Sequence, residues 1–182
     1  VYAERATLTR AQADAAVARA KIEQIAWAAR PLEDRIKLVQ AGVAAIGAMN
    51  DEIVTELAWQ MGRPVRYGGE FGGFNERASY MADIAQDALA PIVVEDSDAF
   101  RRVIKRVPHG LVLVVAPWNY PYMTAINTVA PALIAGNAVM LKHASQTPLV
   151  GARLAAAFHA VVFPADVFQH VFLDHPTTSV PI

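Results

Sequence analysis

The spacing of apolar side chains divides the chain into a helical first half and a second half in which strands and helices alternate. Up to residue 90, apolar positions recur every three or four residues, as on one face of an amphipathic helix. After that point, short runs rich in Val, Ile and Leu alternate with helical patterns, as in parallel α/β units. The pattern therefore predicts a helical region at 1–90, a β-hairpin at 91–109 and an α/β part at 110–182.

Helix start and stop residues predict four helices in the first part. Pro31 is followed by acidic residues, which favours a helix start, and Gly62 marks a helix end. Asn50 is expected to cap the third helix. The glycines at the start of the fourth helix weaken the pattern or permit close helix contacts. The predicted spans are 11–30, 32–50, 51–62 and 67–88.

Apolar side chains at helical spacing are expected to face the core. In the first helix these are Ala16, Ile22, Ile25 and Ala26. In the second they are Ile36, Val39, Val43 and Ile46. Trp27 and Trp59 also fall on predicted helices, and we interpret both as core residues.

The second half predicts strands joined by helices. Strands at 92–94 and 101–107 flank a turn of Asp and Ser, and three further strands at 110–115, 138–142 and 167–173 alternate with helices at 121–134 and 148–162. The strand at 110–115 is apolar throughout, which is typical of a strand buried on both faces. This order predicts an α/β fold with a parallel sheet.

Composition narrows the classes of protein. Hydrophobic residues make up 54% of the 182 residues and charged residues 18%, so the chain can bury a substantial core. The net charge of −1 gives no sign of a basic surface that would bind nucleic acid. The longest uncharged stretch is interrupted by prolines, which makes it a poor membrane-spanning helix. We therefore expect a soluble, cytoplasmic protein with no nucleic-acid or membrane partner. The sequence contains no Cys, which excludes a thiol nucleophile within it.

Two polar loops follow predicted buried strands and precede helices that open with proline. The first is 117–120 and the second is 142–147. In open parallel sheets, ligands bind beyond the carboxyl ends of the strands, so neighbouring strands would place both loops along one crevice. A simpler interpretation is that their polar side chains only cap the two helices, and spacing alone leaves both interpretations open.

Other motifs in the sequence give weaker indications of function. The Gly-rich stretch 68–73 resembles a dinucleotide fingerprint, but no strand precedes it, so it lacks the required context. The five histidines show no metal-ligand spacing, and we predict no metal site. Asp174, His175 and Ser179 are too close in sequence to form a catalytic triad.

The two loops and their flanks closely resemble the aldehyde dehydrogenase superfamily. The matching segments are Pro117-Trp-Asn-Tyr-Pro121, Leu133-Ile-Ala-Gly-Asn-Ala-Val139, Leu141-Lys142 and Thr147-Pro148. Upstream, Pro31-Leu-Glu-Asp-Arg35, Asp51-Glu-Ile53 and Met61-Gly-Arg-Pro64 resemble the N-terminal helices of that family. The resemblance covers nearly the whole chain. It implies N-terminal helices plus the first part of a Rossmann-like parallel-sheet dinucleotide-binding domain, with a β-hairpin oligomerisation segment.

The resemblance implies a chemistry for the first loop. The family oxidises aldehydes with NAD or NADP through attack by a cysteine thiolate. Asn119 matches the family asparagine whose side-chain amide donates to the developing oxyanion, and prolines and aromatics are expected to hold it rigid. Trp118 and the backbone of Val115, Ala116 and Pro117 would line the nicotinamide side of the site. Tyr120, Thr124 and Asn127 would face the aldehyde channel.

The second loop resembles the adenosine site of the family. Lys142 matches a lysine that contacts the ribose, and Ser145 stands where many NAD-preferring members have glutamate. A neutral hydroxyl can donate to a 2′-phosphate that glutamate would repel, and Lys142 and His143 would add positive charge. We therefore predict NADP or NAD as cofactor, with NADP accepted. The loop is also similar to that of bacterial succinate-semialdehyde dehydrogenases, whose substrate is a small aldehyde.

The catalytic cysteine of the family lies on a second domain. By this resemblance, the chain is the cofactor-binding part of a longer enzyme, lacks the catalytic domain and is inactive alone. Dimers or tetramers of the full-length form are implied, built in part through the hairpin. Two alternatives stay open: a non-catalytic cofactor-binding or oligomerisation module, and an inactive relic.

Overall fold

The computed structural model describes residues 2–161 and 163–179. Its first half is helical, with a 3₁₀ turn at Val65–Tyr67 between the third and fourth helices. The helices of this half are α1 Arg10–Ala28, α2 Leu32–Ala48, α3 Asn50–Met61, α4 Phe71–Asp83 and α5 Ala85–Leu89.

The second half alternates strands and helices as the sequence predicts. Its elements are β1 Ile92–Asp96, β2 Arg101–Ile104, β3 Leu111–Ala116, α6 Pro121–Ile134, β4 Ala138–His143, α7 Pro148–Ala160, β5 Phe168–His170 and α8 His175–Ser179. Strands β3, β4 and β5 form a parallel three-stranded sheet in that order, and β1 and β2 form an antiparallel hairpin. The prediction of a mixed α/β fold is confirmed. The predicted end of α7 at Val162 falls outside the described residues.

Strand β4 lies at the centre of the core because both of its faces are covered. All six of its residues are buried. Met140 packs with Ala13 and Ala16 of α1, whereas Val139 and Leu141 belong to the core shared with α6 and α7. This alternation follows from the two-residue period of a strand. Helices on both faces leave the carboxyl ends of the strands as the accessible edge of the sheet.

The predicted inner face of α1 is wrong in part. Ile22 and Ile25 are exposed, and the residues that α1 buries are small: Ala13, Ala16, Val17 and Ala20, with Trp27 near its end. Small side chains let α1 approach the sheet closely. The face with the small residues is therefore the buried one, and the face with the larger Ile side chains is exposed. Trp27 is buried as predicted, and its indole N–H donates to Leu133 O at 2.9 Å. Trp59 is 69% exposed and stacks on Tyr2 instead of joining the core.

Two predicted helix boundaries also differ. Asn50 is the first residue of α3 and not its cap, and Met49 precedes it without a side-chain capping bond. The single helix predicted at 67–88 starts later, at Phe71, because Gly68 has a positive φ of 66° that breaks the helical path before α4, and it is divided at Ile84 into α4 and α5. Gly73 in α4 confirms the expectation of a close helix contact: a Cβ there would meet Met123 Sδ of α6 at 2.6 Å.

Strand β3 is not buried on both faces. It lies at the edge of the sheet, and its Leu113 and Val115 face solvent, Val115 with 59% of its surface exposed. The reason is that α1 covers this face only as far as Leu111. Among the described residues, no helix is both long and apolar enough to span a membrane.

Candidate active and cofactor site

The turn that carries Asn119 lies between the end of β3 and the start of α6. All four of its residues, 117–120, are exposed, with Trp118 at 46% and Tyr120 at 52%. Within the described part of the chain, the Asn119 side chain makes no hydrogen bond, so its amide N–H groups can be donated to a ligand. The two aromatics are each about half exposed, and Tyr120 contacts Arg63. That they hold the amide rigid stays a prediction.

The first turn of α6 is held by residues that the sequence did not single out. The carboxylate of Glu70 accepts a hydrogen bond from the Met123 backbone N–H at 2.8 Å through Oε2. Its Oε1 pairs with Arg63 Nη1 at 3.0 Å. The Arg63 guanidinium lies 5.1 Å from the centroid of the Tyr120 ring. Arg63 and Glu70 therefore contact both ends of the segment that follows Asn119.

The three residues expected to face an aldehyde fall on one side of α6. Tyr120, Thr124 and Asn127 follow the i, i+4, i+7 spacing of a helix face. Thr124 uses its hydroxyl proton locally, donating to Tyr120 O at 2.6 Å. Asn127 Oδ1 is buried with no hydrogen-bond partner among the described residues. Of these three, only Tyr120 lines the neighbouring cavity of about 420 Å³, together with Arg63, Glu70 and Met123.

The second loop leaves the sheet beside the first. Val115 pairs in register with Lys142 and Ala116 with His143, so neighbouring strands end at the same edge. His143 Nε2 lies 3.3 Å from Pro121 O, and its Nδ1 lies 3.1 Å from Thr147 Oγ1. A carbonyl oxygen only accepts, so Nε2 carries the proton and Nδ1 accepts from the Thr147 hydroxyl. The two loops are therefore joined through one imidazole.

His143 does not supply the positive charge expected of it. Burial lowers the pKa of its imidazole, and the adjacent Lys142 lowers that pKa further. Since the ordinary histidine pKa of 6.5 already lies below neutrality, the ring is uncharged at pH 7. The cationic groups at this loop are Lys142, which is buried, and Arg5.

A cavity of about 260 Å³ lies at the second loop. Three parts of the chain line it. These are 142–145 with Pro148, the N-terminal residues Ala3 to Arg5 with Thr7, and Phe172 with Leu173. The ammonium of Lys142, the guanidinium of Arg5 and the hydroxyl of Ser145 are donors for sugar hydroxyls and phosphate oxygens. This donor set fits the adenosine end of a dinucleotide.

A comparison with protein families tests the resemblance that these loops carry. The sequence profile of the aldehyde dehydrogenase family matches residues 1–181. The chain belongs to the aldehyde dehydrogenase family. The resemblance is thereby confirmed as membership. That the polar residues of the two loops bind ligand, and do not only cap helices, stays a prediction.

Curated relatives in this family act on several aldehydes. The chain is 31% identical over 154 residues to the N-succinylglutamate 5-semialdehyde dehydrogenase of Novosphingobium aromaticivorans, covering 84% of the chain and 33% of that protein. It is 31% identical to the vanillin dehydrogenase of Corynebacterium glutamicum, covering 94% and 36%. It is 39% identical over 100 residues to the probable NADP(+) succinate-semialdehyde dehydrogenase of Synechocystis, covering 55% and 22%.

Solved structures of the family share the fold. The NADP-dependent glyceraldehyde-3-phosphate dehydrogenase of Bacillus halodurans, complexed with NADP, superposes with a TM-score of 0.85 at 26% identity, covering 93% of this chain and 37% of that one. The NAD-dependent benzaldehyde dehydrogenase of Corynebacterium glutamicum gives 0.82 at 28% identity, covering 96% and 39%. The chain thus spans about a third of the length of the relatives and structures it matches.

Proposed function

We propose that the chain is the N-terminal, cofactor-binding part of an NAD(P)-dependent aldehyde dehydrogenase that oxidises an aldehyde to its carboxylic acid. The observation that carries the proposal is the free amide of Asn119 at the carboxyl end of β3, beside the Lys142 loop, in a chain of this family. The 182 residues contain no Cys, so the nucleophile must come from another part of the polypeptide.

Asn119 acts as a hydrogen-bond donor to the aldehyde oxygen. When a thiolate attacks the carbonyl, negative charge develops on that oxygen, and a donor already in place stabilises it more than the neutral aldehyde. An amide supplies this bond without exchanging a proton at any pH near neutrality. The side chain of Asn119 suits the role because no described residue competes for its N–H groups.

The cofactor lies along the carboxyl ends of β3 and β4. In this proposal Val115, Ala116, Pro117 and Trp118 contact the nicotinamide side, and Lys142, His143 and Ser145 contact the adenosine side. The register of β3 with β4 and the cavity at 142–145 support this arrangement. When bound, the nicotinamide supplies a hydride acceptor. The protein groups supply the pocket and the donors: Lys142 and Ser145 bind the ribose or its phosphate, and neutral His143 fixes the loop through Pro121 and Thr147.

NADP is the preferred cofactor of this proposal. Ser145 is exposed and contributes a neutral hydroxyl to the lining of the 260 Å³ cavity, which carries two cations, Lys142 and Arg5, against one anion, Glu4. A doubly charged 2′-phosphate gains from that environment, whereas a free ribose hydroxyl gains little. The relatives named as NADP(+) succinate-semialdehyde dehydrogenases support the same choice.

The substrate is a small aldehyde, and succinate semialdehyde is the specific candidate. Several relatives carry semialdehydes in their names, from N-succinylglutamate 5-semialdehyde to succinate semialdehyde. In this proposal Tyr120, Thr124 and Asn127 contact the aldehyde, and their helical spacing along α6 supports a shared face. A cytoplasmic location accompanies this proposal.

The hairpin β1–β2 supports assembly into a homo-oligomer. Its apolar side chains are exposed on both strands: Ile92, Val93, Val94, Val103 and Ile104. A two-stranded hairpin with an uncovered apolar surface is marginal in water, so burial against a second copy would stabilise it. A dimer or a tetramer satisfies this requirement.

A direct test is titration of the 182-residue chain with NADP, in which binding is monitored through the NMR chemical shifts of the backbone amides. The proposal expects saturable binding with shifts at 115–118 and 142–145. A chain without binding contradicts the cofactor role. The absence of Cys favours one other candidate, a binding module without chemistry. Aldehyde oxidation by the product of the complete reading frame that contains this chain separates an enzyme from such a module.

A further inference from the structure

Arg63 and Glu70 form a buried ion pair next to the turn that carries Asn119. Their side chains are only 12% and 2% exposed. Removing two charges from water is costly, and a buried pair adds little net stability compared with apolar side chains. Stability alone is therefore a weak explanation for this pair, and its contacts indicate what else it does.

The pair reaches the turn from two directions. Glu70 accepts from the N–H of Met123, which is the third residue of α6 and lacks a partner within the helix. Arg63 stacks over Tyr120, the residue directly after Asn119. The side chains of Trp118 and Tyr120 are about half exposed, so core packing does not fix this segment. The contacts from Arg63 and Glu70 are what limit its movement from the α4 side.

We propose that Glu70 and Arg63 are positioning residues that hold the amide of Asn119 where the aldehyde oxygen develops charge. This inference rests on the proposed role of Asn119 as the donor. Glu70 fixes the first turn of α6 through Met123. Arg63 fixes the side chain of Tyr120, the residue between Asn119 and α6. A donor gains its effect from being in place before the reaction, and a displacement of about 1 Å costs roughly 100-fold in rate.

The two members of the pair depend on each other. Burial raises the pKa of the Glu70 carboxyl, while the Met123 N–H and Arg63 act in the opposite direction. Without Arg63, burial favours the protonated carboxyl, which accepts more weakly from Met123. Loss of either residue therefore loosens both contacts with the turn.

The first experiment measures backbone order parameters of the ¹⁵N-labelled chain. We expect values near 0.85 at Trp118 and Asn119 in the wild type, falling below about 0.6 in Glu70→Ala. Glu70→Gln keeps one oxygen that accepts from Met123 but turns an amide N–H₂ group toward Arg63, so it is expected to restore the order only in part. Arg63→Lys keeps the charge but loses the planar group stacked on Tyr120, and is expected to mobilise the turn.

Two controls separate positioning from stability. Arg10→Gln breaks an exposed ion pair with Asp14, and Val39→Ala destabilises the core away from the turn. Both are expected to leave Trp118 and Asn119 ordered. If Glu70→Ala leaves the turn as ordered as the wild type, or if Val39→Ala mobilises it equally, the pair only supports helix packing and the proposal is overturned.

The second experiment measures turnover in the polypeptide that joins this chain to a catalytic cysteine. Glu70→Ala is expected to lower kcat about 10- to 100-fold with little change in KM, and Glu70→Gln to recover kcat only in part. An unchanged kcat in Glu70→Ala overturns the inference while leaving Asn119 in its role. An unchanged kcat in Asn119→Ala refutes the role of Asn119, and the inference falls with it.

Discussion

His143, at the end of β4, donates a hydrogen bond from Nε2 to the carbonyl oxygen of Pro121, the first residue of α6, at 3.3 Å. The same ring accepts from Thr147 at its other nitrogen. One neutral imidazole thus connects the loop 142–147 to the helix that follows Asn119. This bond explains why a histidine is useful beside Lys142 although it carries no charge.

Removing the Thr147 hydroxyl tests this connection. Thr147→Val keeps the shape of the side chain and leaves Nδ1 of His143 buried without a donor. The free energy of unfolding is expected to fall by about 1–3 kcal/mol, the cost of an unsatisfied buried polar group. Urea denaturation measures it, with Thr128→Val on the exposed side of α6 as the matched control. Equal stability of the two variants would show that the bond contributes nothing.

Ser145→Glu tests the choice of cofactor. The new carboxylate would meet the 2′-phosphate in the cavity beside Lys142, so binding of NADP is expected to weaken about 10- to 100-fold relative to NAD. Calorimetric titration of the chain with both cofactors measures the ratio. Gln146→Glu adds the same charge one residue later, outside the cavity lining, and should change the ratio little. An unchanged ratio in Ser145→Glu would remove Ser145 from the site.

His170 makes the fold sensitive to acid. Burial lowers the pKa of its imidazole to about 4, with His143 and Arg5 nearby adding to the effect, and Nε2 has no hydrogen-bond partner in the described chain. Between pH 6.5 and pH 4 the unfolded chain therefore binds a proton that the folded chain does not. Stability is fully present above about pH 6.5 and falls by roughly 1.4 kcal/mol per pH unit down to pH 4.

Unfolding midpoints measured across this pH range check the prediction. His170→Leu is expected to flatten much of the dependence of stability on pH. A smaller slope should remain because of His143, whose pKa is also lowered. His109→Leu, at an exposed position, should leave the slope as it is. A slope that survives in His170→Leu would mean that other groups carry the acid sensitivity.

The hairpin predicts self-association. Ile104→Lys places a charge on its apolar surface and is expected to convert the oligomer to a smaller species in sedimentation experiments. Ile25→Lys on α1 is the matched control, because Ile25 is exposed at a distance from the hairpin in sequence. A wild-type chain that is monomeric at high concentration, or an oligomer unaffected by Ile104→Lys, would rule out the hairpin as the contact.

Local chemistry explains what the sequence could predict of the fold. The predicted span of α6 matches the structure residue for residue, since Pro121 opens the helix and Gly136, at a φ of 91°, follows its end. Errors arose where distant parts of the chain decide burial. Ile25 and Val115 are apolar and exposed because the neighbours that would cover them are not dictated by local spacing.

The candidate site shows the same division. Asn119, just after β3, and Lys142, near the end of β4, could be proposed from the sequence because each belongs to a motif within one short stretch. Glu70 was missed because its contact with Met123 spans 53 residues and its neighbours are glycines, which carry no pattern of their own. The division into 1–90, 91–109 and 110–182 stays a prediction; α2 and α4 of the first region pack on α6 and α7 of the last.

The most direct test of the central claim is aldehyde oxidation by the product of the complete reading frame that contains this chain. Formation of NADPH from succinate semialdehyde is compared between the wild type and Asn119→Ala. The account predicts turnover in the wild type and a loss of about 100- to 1,000-fold in kcat in the variant, as expected for removal of an oxyanion donor. No turnover with any aldehyde, or full turnover in Asn119→Ala, would contradict it.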